Sequence, residues 1–123
     1  MAYNKQLVAQ LRLNLSHSNQ KNIVEQQMFR GLMFMVNDKM CIGVSGDNLL
    51  CRFDPLQQEE VTTKTGFQPM VMKGKILKGY CYVNPAGFQR EEDFQYWVSL
   101  CLAYNPTAKR SKKKKAATAI ERK

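Results

Sequence analysis

Four cysteines, one histidine and two acidic clusters are the first side chains to test for covalent, metal or proton-transfer chemistry. Cys41, Cys51, Cys81 and Cys101 lie 10, 30 and 20 residues apart, each inside an apolar segment. A zinc site needs about four convergent nitrogen or sulfur ligands, usually in closely spaced pairs. No C-x-x-C occurs and His17 is the single histidine, so no metal site and no cofactor is expected. The cysteines read as reduced, buried packing residues. Cys41 and Cys51 sit on segments that can neighbour each other, which leaves a redox pair as the sharper alternative. His17 lies between Ser16 and Ser18, but a nucleophile and its base must be held within about 3 Å by a third group. Adjacent residues at a helix end do not supply that, so a helix-terminal role is expected. Glu59-Glu60 and Glu91-Glu92-Asp93 are consecutive and point in different directions, whereas acid–base work needs carboxylates in contrasting environments across a cleft. They read as solvated helix faces. No catalytic residue is assigned, and the chain is expected not to be an enzyme.

Lysines carry the remaining chemistry. Gly74-Lys75-Ile76-Leu77-Lys78-Gly79 lacks the Gly-Lys-Ser/Thr ending of a phosphate loop and leads into no helix. Lys73, Lys75 and Lys78 are left as a small anion-attracting patch. The stronger basic feature is the C-terminus. Residues 107–123 hold eight basic side chains and one acid, net +7, while residues 1–106 hold eleven and nine, net +2, which together account for the chain's +9. A nearly neutral body thus carries a basic appendage. Lys109, Arg110, Lys112, Lys113, Lys114 and Lys115 are the candidate polyanion contacts. Packed like charges resist ordering, so residues 107–123 are expected to be a disordered tail. Bound to phosphates they would release counterions and give sequence-independent, salt-sensitive affinity. The competing reading is a solubilising tail.

The elements that must position these groups follow from period and turn chemistry. At 123 residues with 44% hydrophobic and 10% aromatic content, the chain has the size and composition of one globular domain, here residues 1–106. Leu7, Leu11 and Leu15 recur at helical spacing, predicting a helix over 3–17. Residues 16–22 read as loop and 23–29 as a strand. Leu32-Met33-Phe34-Met35-Val36 is apolar throughout, as in a strand covered on both faces. Asn37-Asp38 suits a type I′ hairpin turn, with return strands over 39–45 and, after Gly46-Asp47, over 48–53. Asp54 and Pro55 are placed to start a helix that continues as a short polar segment over 57–65, and Gly66 to end it. Strands are expected at 69–72 and 79–83, with Lys73 to Lys78 as a basic loop between them. Asn84-Pro85-Ala86-Gly87 reads as a turn. A last helix over 90–104 carries the stripe Phe94, Trp97, Cys101 and Tyr104, with three acids in its first turn, and Asn105-Pro106 ends it. The fold class is α+β: an antiparallel sheet of five to six strands with an N-terminal, a short middle and a C-terminal helix.

The longest apolar run is far short of the ~20 residues of a membrane helix, and the N-terminus has no apolar leader. A cytoplasmic protein without membrane contact is expected. The apolar runs with Phe53, Phe67, Tyr80 and Tyr82 could form a base-stacking platform, but continuous runs favour core packing, with homodimer burial as a further outlet.

The segment Met28-Phe29-Arg30-Gly31 followed by Leu32-Met33-Phe34-Met35-Val36-Asn37-Asp38-Lys39-Met40-Cys41-Ile42-Gly43-Val44 resembles the N-terminal domain of the TfoX/Sxy family of competence regulators. That signature usually begins Met-Phe-Gly-Gly and continues as strand, turn, strand; Arg30 stands where glycine is usual. Leu77-Lys78-Gly79-Tyr80-Cys81-Tyr82-Val83 is similar to the family's Met-Lys-Gly-Phe-x-Tyr-Val stretch, and the helix with Trp97 also fits. The resemblance covers residues 5–104 and implies a stand-alone N-terminal domain, the family's second domain lacking. It implies an α+β fold and a link to transcriptional control of DNA uptake through a protein partner in the transcription machinery, and it supplies no catalytic residues. The expected function is a non-enzymatic regulatory or interaction module whose tail adds nonspecific nucleic-acid binding; the alternative is a homodimeric adaptor or chaperone-like domain that binds proteins.

Overall fold

A computed structural model describes residues 3–18, 20, 22–28 and 30–108. Helix α1 (Lys5–Ser16) buries Leu7, Val8, Leu11 and Leu15, the stripe its spacing predicts. It begins two residues later than the sequence suggests. Asn4 is the N-cap, its side chain accepting from the Gln6 and Leu7 amides at 2.9 and 3.1 Å. Tyr3 bridges to Gly46 instead, and the Asn4 amide donates to the Gly46 carbonyl at 2.8 Å. The first helix is thereby moored to a turn far along the chain.

Six strands form one antiparallel sheet in the order β1-β2-β3-β4-β6-β5: β1 (Ile23–Met28), β2 (Gly31–Val36), β3 (Lys39–Ser45), β4 (Asn48–Arg52), β5 (Phe67–Met72) and β6 (Lys75–Val83). Asn37 and Asp38 have φ of 54° and 68°, the type I′ geometry expected of that pair. Between β4 and β5 the Asp54 carboxylate accepts from the Leu56 amide at 2.9 Å, and Pro55 opens a 3-10 turn, Pro55–Gln57, that leads into α2 (Gln58–Val61). This middle helix is shorter than the polar stretch suggests. The Thr62 and Thr63 hydroxyls donate to the Glu59 and Glu60 carbonyls and close it early. Helix α3 (Glu91–Tyr104) follows β6.

Both sheet faces are covered. Alternation sends Leu32, Phe34 and Val36 of β2 toward α1 and α3, where they join Ile42, Val44, Leu49, Phe53, Phe94 and Trp97 in the main core. Met33 and Met35 point the other way into a second cluster with Leu50 and Met70, roofed by Met28, Met40, Leu77, Tyr80 and Tyr82. No helix is needed on that side, because long flexible side chains close over their own floor. Every residue of β2 is therefore buried within one chain.

The largest departure from the sequence reading lies in the last two strands. Lys73 to Lys78 is not a loop. Only Lys73 and Gly74 turn, with φ of 52° and 79°, and Lys75 already pairs with Met72. The register then shifts: Pro69 faces Cys81 while Val71 faces Ile76, so residues 77–80 of β6 bulge opposite Met70. Gly79 makes the bulge fit. Its φ is +86°, and a Cβ there would lie 3.0 Å from the Phe53 carbonyl oxygen. Its amide donates to Gln58 Oε1 at 3.0 Å, and its carbonyl accepts from the Phe53 amide at 2.8 Å.

At its C-terminal end the folded body runs past residue 106. A 3-10 turn spans Asn105–Thr107, and Ala108 is buried with its amide on the Tyr104 and Asn105 carbonyls. Among the described residues no helix is long and apolar enough to cross a membrane.

Candidate interaction surface

Cys41 and Cys51 lie on the neighbouring strands β3 and β4, as the sequence suggests, but the structure gives Cys51 other cysteine neighbours. Cys51 on β4 lies opposite Cys81 on β6, and its thiol is within hydrogen-bonding reach of both the Cys81 and the Cys101 thiols. Cys41 is the extra residue where Phe34 faces Ile42 and Met35 faces Met40; this irregularity turns both Cys41 and Ile42 into the helix-side core. It is Ile42, not Cys41, that pairs with Cys51. All four thiols are free and buried. Burial pushes the Cys41 and Cys51 thiols far above the ordinary range, which suppresses the thiolate that redox and alkylation chemistry require. Among the described residues, no group of three or more His, Cys, Asp or Glu could hold a metal ion.

The other sequence candidates are accounted for by local bonds. The His17 amide caps α1 on the Asn14 and Leu15 carbonyls. The Ser16 and Ser18 hydroxyls donate to the Leu13 and Leu15 carbonyls, and so do not face His17 as a dyad would. A shallow groove of about 400 Å³ between α1 and α3 is lined by His17, Ser18, Glu91 and Gln95, with the Gln95 amide on Glu91 Oε2 at 3.1 Å. At the start of α3, Arg90 pairs with Glu92 and Asp93, each at 3.2 Å, in solvent. The aromatic residues do not share a platform. Phe53 and Phe67 join the helix-side core, whereas Tyr80 and Tyr82 roof the methionine cluster.

The β5–β6 hairpin beyond the bulge is different. It forms an arm whose inner face, Met70 and Leu77, packs on the methionine cluster. Its outer face carries Val71 and Ile76, directly opposite each other in register and 56% and 58% exposed. Lys73, Lys75 and Lys78, singled out in the sequence as a basic patch, are all exposed, the first two on this arm and Lys78 in the bulge at its base. Leu56, 92% exposed, lies on the 3-10 turn whose Pro55 side chain comes within 3.0 Å of the Cβ that Gly79 lacks, at the arm's base. Residues 61–89 contain four lysines and no acid. The chemistry on offer is an apolar strip framed by cations at the edge of a sheet. The sequence reading missed the apolar part. Its signal was the Lys73-Gly74 pair between Val71-Met72 and Lys75-Ile76-Leu77, a two-residue hairpin turn rather than a loop.

Lys109, Arg110 and Lys112 to Lys115 lie outside the described residues. The apolar run of β2, one motive for a second copy of the chain, is covered within the domain.

Residues 15–104 match the family described as the TfoX N-terminal domain. The matched region takes in all six strands and α3. Neither a curated protein nor a solved structure matches the chain.

Proposed function

The chain belongs to the TfoX N-terminal domain family, and from that premise we propose that this TfoX-like regulatory domain acts without catalysis, by holding a protein partner in the transcriptional control of DNA uptake. The observation that carries this reading is the exposed Val71–Ile76 pair on the basic arm. A domain that closes both faces of its sheet but leaves a cross-strand apolar pair in water keeps a surface suited to a partner. The tail cations would add sequence-independent attraction to nucleic acid and raise the local concentration of the body near DNA.

Two measurements test the two halves. Transcript profiles of cells with and without the protein should differ at genes for DNA uptake; identical profiles would remove the regulatory reading. Duplex binding by the full chain should fall with salt at a log–log slope of about −5, from six cations at roughly 0.9 per phosphate. Binding should be largely lost in a full-length variant with Lys109, Arg110, Lys112, Lys113, Lys114 and Lys115 changed to glutamine. Equal binding by both proteins would overturn the tail's role.

A further inference from the structure

Three observations on the arm specify what would cover it. Strand β5 ends the strand order of the sheet, the position at which a strand can be added. The exposed lysines Lys73, Lys75 and Lys78 stand on an acid-free stretch of chain. A second copy seated arm to arm would oppose like charges, whereas an acidic segment would meet complementary ones. The third observation is the character of the outer face. Val71 and Ile76 are aliphatic, and residues 69–78 contain no aromatic ring, so nothing there stacks on nucleic-acid bases. A strand-forming polypeptide places alternate side chains on one face, which suits a cross-strand aliphatic pair beside cations.

We infer that the β5 edge of the arm accepts, as an added strand, a segment of another protein in which apolar and acidic residues alternate. Val71, on β5 itself, meets its apolar side chains and extends the strip that Val71 forms with Ile76 on the neighbouring β6, while Lys73 at the turn, with the long Lys75 and Lys78 side chains reaching across from β6, meets its carboxylates. The inference rests on the reading of the chain as a partner-binding module and names the surface and the class of partner.

The probe is an eight-residue peptide of alternating valine and glutamate, titrated into the ¹⁵N-labelled full chain at low salt. Expected are shifts concentrated at residues 67–78, slowed amide exchange along β5, and a Kd raised at least tenfold by V71E/I76E and severalfold by K73Q/K75Q/K78Q. The two apolar and three basic positions are all exposed, so the variants should keep the dispersed spectrum of the parent; if V71E/I76E loses it, V71S/I76S replaces it, with the same weakening expected. The inference is overturned by an absence of shifts at low salt, by shifts confined to residues 109–123, or by equal binding of a control peptide of the same length in which valine alternates with lysine. It is also overturned if a twelve-nucleotide single strand competes for the same resonances, or if sedimentation shows the arm buried in a dimer. Unchanged transcripts with the peptide seated on β5 would remove the regulatory reading alone; changed transcripts with no peptide binding would remove only the arm.

Discussion

The Asn105 side-chain amide donates to the Val36 carbonyl across 3.1 Å, in the protein interior. The bond ties the end of α3 to the last residue of β2, and Lys39 Nζ reinforces it by donating to the Asn105 and Pro106 carbonyls, each at 3.1 Å. A cation at the C-terminal end of a helix answers carbonyls left without partners. Asn105→Ala removes this buried bond and should cost about 0.5–1.5 kcal/mol. Urea unfolding measures it: an unchanged midpoint would mean that the bond contributes nothing. Because Ala108 is buried, a chain ended after Pro106 should also be less stable than one ended after Ala108.

Thiol labelling tests the inertness of the cysteines. Burial holds the Cys41 and Cys51 thiols above their ordinary range, so they expose little thiolate at neutral pH, and burial alone shields all four from reagent. All four should react with iodoacetamide only as fast as the domain opens, with rates that climb with urea. A cysteine labelled in native buffer at the rate of a free thiol would contradict the packing role.

Arg12 and Glu25 join α1 to β1 through two charge-assisted hydrogen bonds. The Arg12 hydrogen bond holds the Glu25 carboxyl below its usual range. A carboxyl lowered on folding contributes stability above its unfolded pKa of about 4.3, and that contribution is lost as pH falls through the folded value. The pair is largely solvent-facing, so Glu25→Gln should cost no more than about 0.5 kcal/mol at pH 7. The difference between variant and parent should vanish in acid below both values. A gap that widens as pH falls would reverse the assignment.

Two positive-φ positions should respond in opposite directions. Gly79→Ala puts a side chain at φ +86° against the Phe53 carbonyl and should lower stability by more than about 1 kcal/mol. Arg30, at φ +59°, stands where the family usually has glycine. Arg30→Gly relieves about 1–2 kcal/mol of left-handed strain against about 0.5–1 kcal/mol of added unfolded-state freedom, leaving a small net gain. Thermal midpoints decide both, and a stabilising Gly79→Ala would show that the bulge is not what holds β6 in place.

Trp97 Nε1 donates to the Gly87 carbonyl at 3.0 Å in the core. Trp97→Phe removes the donor and a ring's worth of packing, with an expected loss of about 2–4 kcal/mol. A loss below about 1 kcal/mol would mean that the carbonyl finds water.

Much of this fold was legible in the sequence, because much of it is decided between near neighbours. The Leu7, Leu11, Leu15 spacing, the Asn37-Asp38 turn, the Asp54-Pro55 start of the middle helix and the acids opening α3 each act within a few residues. The family signature added what such rules do not reach, the membership of the chain in the TfoX N-terminal domain family. The candidate surface was half legible: Lys73, Lys75 and Lys78 stood out as charges, while Val71 and Ile76 looked like any other apolar pair.

Only the tertiary structure decided which apolar residues stay in water. Met33 and Met70 come from strands far apart in the sequence and share one cluster, whereas Val71, next to Met70, faces outward. Cys51 meets Cys81 because β6, not β5, lies beside β4, and it misses Cys41 because Ile42 takes the place opposite it on β3. Local rules suffice for the elements and for the segregation of charge into a near-neutral body and a basic end. Strand order and the Gly79 bulge depend on contacts between distant segments, which no local pattern encodes, and they set the arm's outer face in solvent.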